Sequence, residues 1–314
     1  MLVYFLLFAD ILDLTSSSFN GLPVPPTIRL RRSMDRISPS EGDDAGSIPA
    51  GGILQNPVLW YAFHMHYPTL EEKIATVLAK KYAGQNSLAF RADELRLKHG
   101  EPLEYVLGYA EFLGCKIDIS CRPMIPRYET AFWVDRAIKE LAEQNRSLRV
   151  ADTFAGSGNV GIAILKHVPH TIVEFSELDA SLLPGIAHSV DLNKIDPARA
   201  KLIAANALEG LTGQYDDIFA VPPYVSPNAL SELDPEMRDH EPHLAFFAEE
   251  GGRAFHRLLI EKAWDYLLPG GTLYMESDMD HEAGTRKMLE GTKWSKVEFW
   301  PDPYDATPNV VLRK

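Results

Sequence analysis

The stretch ADTFAGSGNVG, residues 151–161, decides how the chain is read. A short apolar run, RVADTF (149–154), enters it, and a helical pattern, NVGIAILKHV (159–168), leaves it. A glycine-rich turn between strand and helix lets backbone approach a ligand without interference from Cβ atoms. Gly156, Gly158 and Gly161 also fit the dinucleotide-binding spacing, so the turn alone leaves two cofactor classes open. In both, an acidic residue about 20 residues further on takes the ribose hydroxyls, and Glu177 stands there, at the end of TIVEFSE (171–177).

Outward from the turn, apolar runs alternate with helical stretches. TIVEFSE, AKLIAA (200–205), DDIFAV (216–221) and GTLYMES (271–277) read as strands; ASLLPGIAHSVDLN (180–193) and AFHRLLIEKAWDYL (254–267) read as helices. That alternation predicts an α/β domain with a parallel sheet and a ligand at the carboxyl ends of its strands. On the N-terminal side, Leu70, Ile74, Val77, Leu78 and Tyr82 form one apolar helical stripe, with Thr69 and Glu72 as a capping box and Gly84 as the stop. Further helices are expected over 90–98 and 103–107. Residues 1–52, with their apolar start, Ser/Pro/Gly-rich middle and basic knot of Arg29, Arg31, Arg32 and Arg36, read as an N-terminal arm or lead-in. The expected domains are therefore this arm, a helical unit over 53–110 and a sheet domain further on. His64 and His66, two residues apart and without a carboxylate partner, make a poor metal site.

The 314 residues carry a net charge of −13, which repels phosphate backbones and disfavours a nucleic-acid partner. Cys115 and Cys121 make neither a disulfide framework nor a C-x-x-C pair. No run has the roughly 20 apolar residues of a membrane span, and MLVYFLLFADIL lacks the flanks of a signal peptide. A cytoplasmic protein without a membrane partner is expected, and the apolar first segment hints at a homodimer.

The fourth strand separates the two cofactor classes. It ends in Val221-Pro222-Pro223-Tyr224, where two prolines fix φ and leave carbonyls as rigid acceptors for a substrate nitrogen. A hydride-transfer enzyme has no use for such a turn. With this turn, the chain resembles the HemK-type S-adenosyl-L-methionine-dependent methyltransferases, which methylate the N5 of glutamine in release factors and a ribosomal protein. The resemblance covers about residues 70–314 and rests on EPLEYVLGYAEFLG (101–114), MIPRYET (124–130), ADTFAGSGNVGIA (151–163), VPPY, RDHEPHLAF (238–246) and LLPGGTLYMES (267–277). It implies a Rossmann-like class I methyltransferase domain over 126–314, a smaller helical N-terminal domain and a β-hairpin linker over 111–125. The cofactor, released as S-adenosyl-L-homocysteine, would meet Ala155, Gly156, Ser157, Gly158 and Asn159 with its methionine part, Glu177 with its ribose, and Asn206 and Ala207 with its adenine. Arg127, Glu129 and Thr130 match the family's PRxET and would line the pocket edge, unless Thr130 only caps a helix; Tyr128 replaces a proline. Neither a metal nor a covalent intermediate is implied.

The match breaks at Val221, where the family has Asn. In the family that side chain and a proline carbonyl hold the glutamine amide against the methyl donor. Val221 neither donates nor accepts, and an unsatisfied buried N–H costs about 1–3 kcal/mol, or one to two decades in rate. Acidic residues follow the turn: Glu232, Asp234, Glu236, Asp239, Glu241, Glu249 and Glu250, and later Asp302 and Asp305. Carboxylates take a guanidinium in bidentate geometry. The VPPY turn also resembles that of the free-arginine N-methyltransferases of nitrosourea (streptozotocin-type) biosynthesis. The expectation is thus an N-methyltransferase for a small cationic amino acid, foremost the guanidino group of free L-arginine. Pro222 and Tyr224 would orient its nitrogen, Glu241 would neutralise it, and Val221 and Pro223 would wall the channel. A protein-glutamine methyltransferase is the alternative.

Overall fold

The computed structural model describes residues 68–278, 281–301 and 309–314. The expectations for residues 1–52, for His64 and His66, and for Asp302 and Asp305 lie outside the described residues.

Helix α1 (Leu70–Tyr82) starts at the expected box: the Glu72 amide donates to Thr69 Oγ1 at 3.3 Å, and the Thr69 amide to Glu72 Oε2 at 2.7 Å. It stops at Ala83, which itself takes the left-handed conformation (φ 49°), one residue before the predicted Gly84. Ser87 caps α2 (Leu88–Lys98) by accepting from the Phe90 amide, so this helix begins two residues earlier than its apolar pattern indicated. With α3 (Leu103–Leu107), these helices close around Val77, Phe90, Leu97 and Val106. Buried Asp93 ties them further by accepting from Lys81, Tyr82 and Arg96.

A two-stranded antiparallel hairpin follows, β1 (Tyr109–Phe112) and β2 (Cys115–Asp118). Next comes α4 (Tyr128–Glu143), the helix opened by the PRxET-like segment. The chain then alternates as predicted through β3 (Arg149–Thr153), α5 (Asn159–His167), β4 (Ile172–Glu177), α6 (Leu183–Leu192), β5 (Ala200–Ala204) and β6 (Tyr215–Ala220). It continues with α7 (Pro235–His240), α8 (Ala254–Tyr266), β7 (Leu267–Met275), α9 (Glu282–Leu289), β8 (Lys296–Trp300) and β9 (Asn309–Arg313). The seven-stranded sheet runs β5-β4-β3-β6-β7-β9-β8 and is parallel except for β9, which is antiparallel to both its neighbours. This is the Rossmann-like class I methyltransferase fold.

Apolar layers cover both faces. Trp133, Ile138, Leu141, Ile162 and Ile186 belong to one core, Leu259, Ile260, Leu273 and Leu312 to the other. Trp133 stacks on Phe219, and Phe219 on Tyr274, with centroids 6.0 and 4.7 Å apart. The helical and sheet regions fall within one compact unit. Lys73 of α1 pairs with Glu236 of α7 at 2.9 Å across that junction. Strands β3 and β6 flank the point where strand order reverses, so the glycine-rich turn and the VPPY turn emerge side by side at the crevice where such sheets bind ligands.

Candidate active site

A cleft of about 1140 Å³, counting its open mouth, lies over these strand ends. The turns beneath it hold their backbone in unusual conformations. Phe154, Gly156 and Gly158 all have positive φ (58°, 54° and 75°), and so does Ala207 (48°). Non-glycine residues seldom take such angles, and they concentrate where a site needs a fixed backbone. Gly158 opens α5, and a Cβ there would stand 2.9 Å from Ile186. Gly161 serves helix–sheet contact, because a Cβ would fall 2.2 Å from the Phe175 ring. Its amide donates to buried Asp152 at 2.8 Å, and burial pushes that carboxyl up to about 8.

Glu177 is anchored rather than free. Its Oε2 accepts from the Gly156 amide at 2.7 Å and its Oε1 from the Asp179 amide at 2.8 Å. A carboxylate offers about four lone-pair positions, so two are left for a pair of ligand hydroxyls. Ala155, Gly156, Ser157, Asn159, Glu177, Asn206 and Ala207 all line the cleft. Gly158 does not line it and acts by shaping the turn. A carboxylate aimed into a cleft floored by glycine-rich backbone fits the ribose and methionine ends of S-adenosylmethionine.

The acceptor side departs further from expectation. Val221 and Pro223 line the cleft, whereas Pro222 is buried and Tyr224 is not among the lining residues. The Tyr224 hydroxyl donates to Glu276 Oε1 at 3.1 Å, and burial raises its pKa well above the ordinary phenol value. Glu241 is also absent from the lining. It is 6% exposed, its Oε2 accepts from the Ile125 amide at 2.9 Å, and its Oε1 pairs with Arg127 Nη2 at 2.7 Å. The expected role of neutralising a substrate is corrected: Glu241 is already paired with Arg127, and the pair fastens segment 122–127 to the end of α7. Arg127 does line the cleft.

The other acidic residues are accounted for as well. Asp234 caps α7, Glu236 holds Lys73, Asp239 pairs with Arg238 and Glu250 with Arg257, while Glu232 and Glu249 are exposed. Among the described residues, Glu177 and Asp179 are the carboxylates that line the cleft. Around the VPPY turn the lining is apolar: Pro242, Leu244, Ala245, Phe247 and Phe255 join Val221 and Pro223. Backbone bonds staple this wall to the turn, from the Val225 amide to the Phe246 carbonyl (2.8 Å) and from the Ala248 amide to the Val225 carbonyl (3.0 Å).

Thr130 is the third residue of α4 and no cap; it lines the cleft, and its hydroxyl donates to Glu276 at 2.6 Å. Sequence reasoning missed Glu276. The signal was its place, a polar residue directly after the apolar strand run Leu273–Met275, at the edge of the sheet where ligands gather.

A family model described as Methyltransferase small domain matches residues 134–234. The release factor glutamine methyltransferase of Agrobacterium fabrum is 32% identical over 219 residues, which span 69% of this chain and 75% of that protein. The enzyme of the same name from Bacteroides thetaiotaomicron is 31% identical over 210 residues, 66% of this chain and 74% of that protein. Among solved structures, a T. thermophilus 16S rRNA N2 G1207 methyltransferase is similar with a TM-score of 0.46 at 17% identity, covering 66% of this chain and 49% of that one. With the strand-end glycine turn, the anchored Glu177 and the proline turn beside them, these relatives make the chain a member of the HemK-type family of S-adenosyl-L-methionine-dependent N-methyltransferases.

Proposed function

We propose that the chain methylates the side-chain amide nitrogen of a glutamine carried by a protein of the release-factor or ribosomal-protein kind. The observation that carries this reading is the apolar wall around the VPPY turn. The cleft's two carboxylates are committed elsewhere, Glu177 to backbone amides and Asp179 to the Ser181 amide and hydroxyl. A guanidinium would enter that wall without a counter-ion, at a cost of several kcal/mol. A primary amide carries no charge and needs only hydrogen-bond acceptors. The similarity to two release factor glutamine methyltransferases supports the same choice.

S-adenosylmethionine supplies an electrophilic methyl on a sulfonium. The residues proposed to hold it are Ala155–Asn159 for its methionine part, Glu177 for its ribose, and Asn206 and Ala207 for its adenine, with Arg127 at the rim. The Pro222 carbonyl is proposed to accept one N–H of the amide, aiming the nitrogen lone pair at the methyl carbon; such positioning supplies much of the rate in reactions of this class. Val221 offers no second acceptor, and its apolar side chain walls the channel.

A second reading has one observation in its favour, Val221 itself. A site for glutamine amide gains from an Asn there, so its replacement suits a changed acceptor such as the guanidino group of free L-arginine. The experiment is an acceptor panel read by mass spectrometry. Purified protein and S-adenosylmethionine are given a release-factor-like glutamine peptide, an intact release factor, free glutamine, arginine, agmatine and lysine. A one-methyl mass gain on the peptide or release factor is the expected result. A gain on arginine or agmatine alone establishes the second reading and overturns the first.

A further inference from the structure

Behind the cleft, a single buried carboxylate joins elements that come from both halves of the site. Glu276 follows β7 and is 3% exposed. Its Oε2 accepts from Thr130 Oγ1 at 2.6 Å and from Trp133 Nε1 at 2.9 Å, both on α4; its Oε1 accepts from the Tyr224 hydroxyl at 3.1 Å. The backbone of the same residue is fixed too. Its amide donates to the Ala220 carbonyl, the last residue of β6 before the VPPY turn, at 3.0 Å. Its carbonyl lies 3.0 Å from Nε2 of fully buried His256 on α8.

Among the described residues, no lysine or arginine is a partner of this carboxylate. Burying an unpaired acid is costly, and an apolar residue of similar volume is often as good for stability or better. Burial accordingly raises the pKa of Glu276 above the ordinary carboxylate value. What the acid accomplishes is geometric. Thr130 lines the cleft, and Tyr224 closes the acceptor turn whose Val221 and Pro223 line it. One carboxylate therefore joins the wall formed by α4 to the turn that meets the acceptor. From the other side the turn is backed by Gly252, where a Cβ would stand 2.0 Å from the Tyr224 carbonyl oxygen. The turn is thus clamped between Glu276 and segment 248–252.

We infer that Glu276 is a positioning residue for methyl transfer, acting through Tyr224 to hold the acceptor turn in register with the cleft wall at Thr130. The assignment goes beyond the acceptor proposed above and holds for an amide or a guanidine alike.

The test compares Glu276→Met, Glu276→Gln, Tyr224→Phe and the Glu276→Met/Tyr224→Phe double variant in the full chain, with whichever panel acceptor the wild type methylates. Met fills the space without accepting a bond. Gln keeps an acceptor for Thr130 and Trp133, and its NH2 can donate to the Tyr224 oxygen, so it preserves the link in reversed direction. Expected is a fall in kcat of about 10- to 100-fold for Glu276→Met and for Tyr224→Phe. Glu276→Gln should recover most of that loss, S-adenosylmethionine affinity should stay within about threefold, and the double variant should be no worse than the poorer single one. Multiplicative losses in the double variant overturn the inference. So does an unchanged kcat in Tyr224→Phe, or a parallel loss of kcat and cofactor affinity. Should Glu276→Met fail to fold, Glu276→Gln and Tyr224→Phe decide by the same criteria, with their double variant in place of the Met one.

Hydrogen exchange supplies a readout that needs no acceptor. In a folded variant without the Tyr224–Glu276 bond, segment 219–226 should exchange faster than in the wild type while segment 151–161 does not. Equal exchange in 219–226 overturns the inference. An inactive wild type would count against the proposed acceptors and leave this measurement standing.

Discussion

The two halves of the cleft are built from different materials. The half proposed for the cofactor is mostly backbone: a turn with positive φ at Phe154, Gly156 and Gly158, and a carboxylate held by two amides within a few residues of the same strand ends. The half proposed for the acceptor is mostly side chains reaching across the chain. Tyr224 meets Glu276, Glu241 meets Arg127, and Thr130 meets Glu276. A backbone site tolerates change in its surroundings, because its shape comes from local conformation. A site assembled from distant side chains can be retuned one residue at a time, and Val221 stands in that half. Lesions in the first half should therefore appear in cofactor affinity, and lesions in the second in turnover.

The largest expected effect belongs to the first half. Glu177→Ala removes the proposed partner of the ribose and leaves the Gly156 and Asp179 amides without an acceptor. Two charge-assisted bonds are worth about 4 kcal/mol together, so S-adenosylmethionine should bind roughly a thousandfold more weakly by calorimetry. Loss of turnover with unchanged affinity would break the division between the halves.

The acceptor half should be the more sensitive to acid. His256, fully buried behind Glu276 and facing His281, has its pKa lowered by burial from the usual 6.5 to about 4. Between those values the unfolded chain takes a proton that the folded chain refuses. The part of the stability that depends on His256 is thus complete above pH 6.5 and declines as pH falls toward 4, by roughly 3 kcal/mol. Buried Asp152 and Glu276, with their raised pKa values, act in the opposite direction, so the readout is a difference: thermal melts of the wild type should lose stability relative to His256→Gln as pH falls from 6.5 to 4. Next comes Gly252→Ala. Its Cβ would lie 2.0 Å from the Tyr224 carbonyl oxygen at a backbone φ of +90°, costing about 2 kcal/mol of stability. Turnover should drop with it while cofactor affinity holds, as paired activity and binding titrations would reveal.

This contrast also explains how much was legible beforehand. Strands, crossovers, the glycine turn and Glu177 are local patterns, and the periodicity of RVADTF and NVGIAILKHV carries them whole. Glu241 is different: its partner Arg127 lies 114 residues away, so a carboxylate beside an acceptor motif looked free when it was already paired. Glu276 and Thr130 are separated by 146 residues, and no spacing in the chain announces their bond. Ala83 takes the left-handed cap expected of Gly84, a one-residue shift that apolar periodicity does not resolve.

The smallest predicted effect sharpens the comparison most, because it falls on the residue that departs from the Asn implied by the family resemblance. Val221 sits at the end of β6, lines the cleft and packs beside the core. Val221→Asn adds a donor and an acceptor at a partly exposed position, so the fold should bear it with little loss. If glutamine is the acceptor, the new carbonyl oxygen satisfies the amide N–H that the Pro222 carbonyl leaves over. One recovered hydrogen bond of about 1.4 kcal/mol then raises kcat/KM for a glutamine peptide roughly tenfold. If arginine is the acceptor, the same oxygen adds no charge to offset a guanidinium, and the Asn side chain crowds a channel shaped for Val. Arginine methylation then stays level or falls while the peptide gains. Steady-state kinetics with both acceptors distinguish these outcomes, and a fall for both would show Val221 to be a packing residue with no part in acceptor choice.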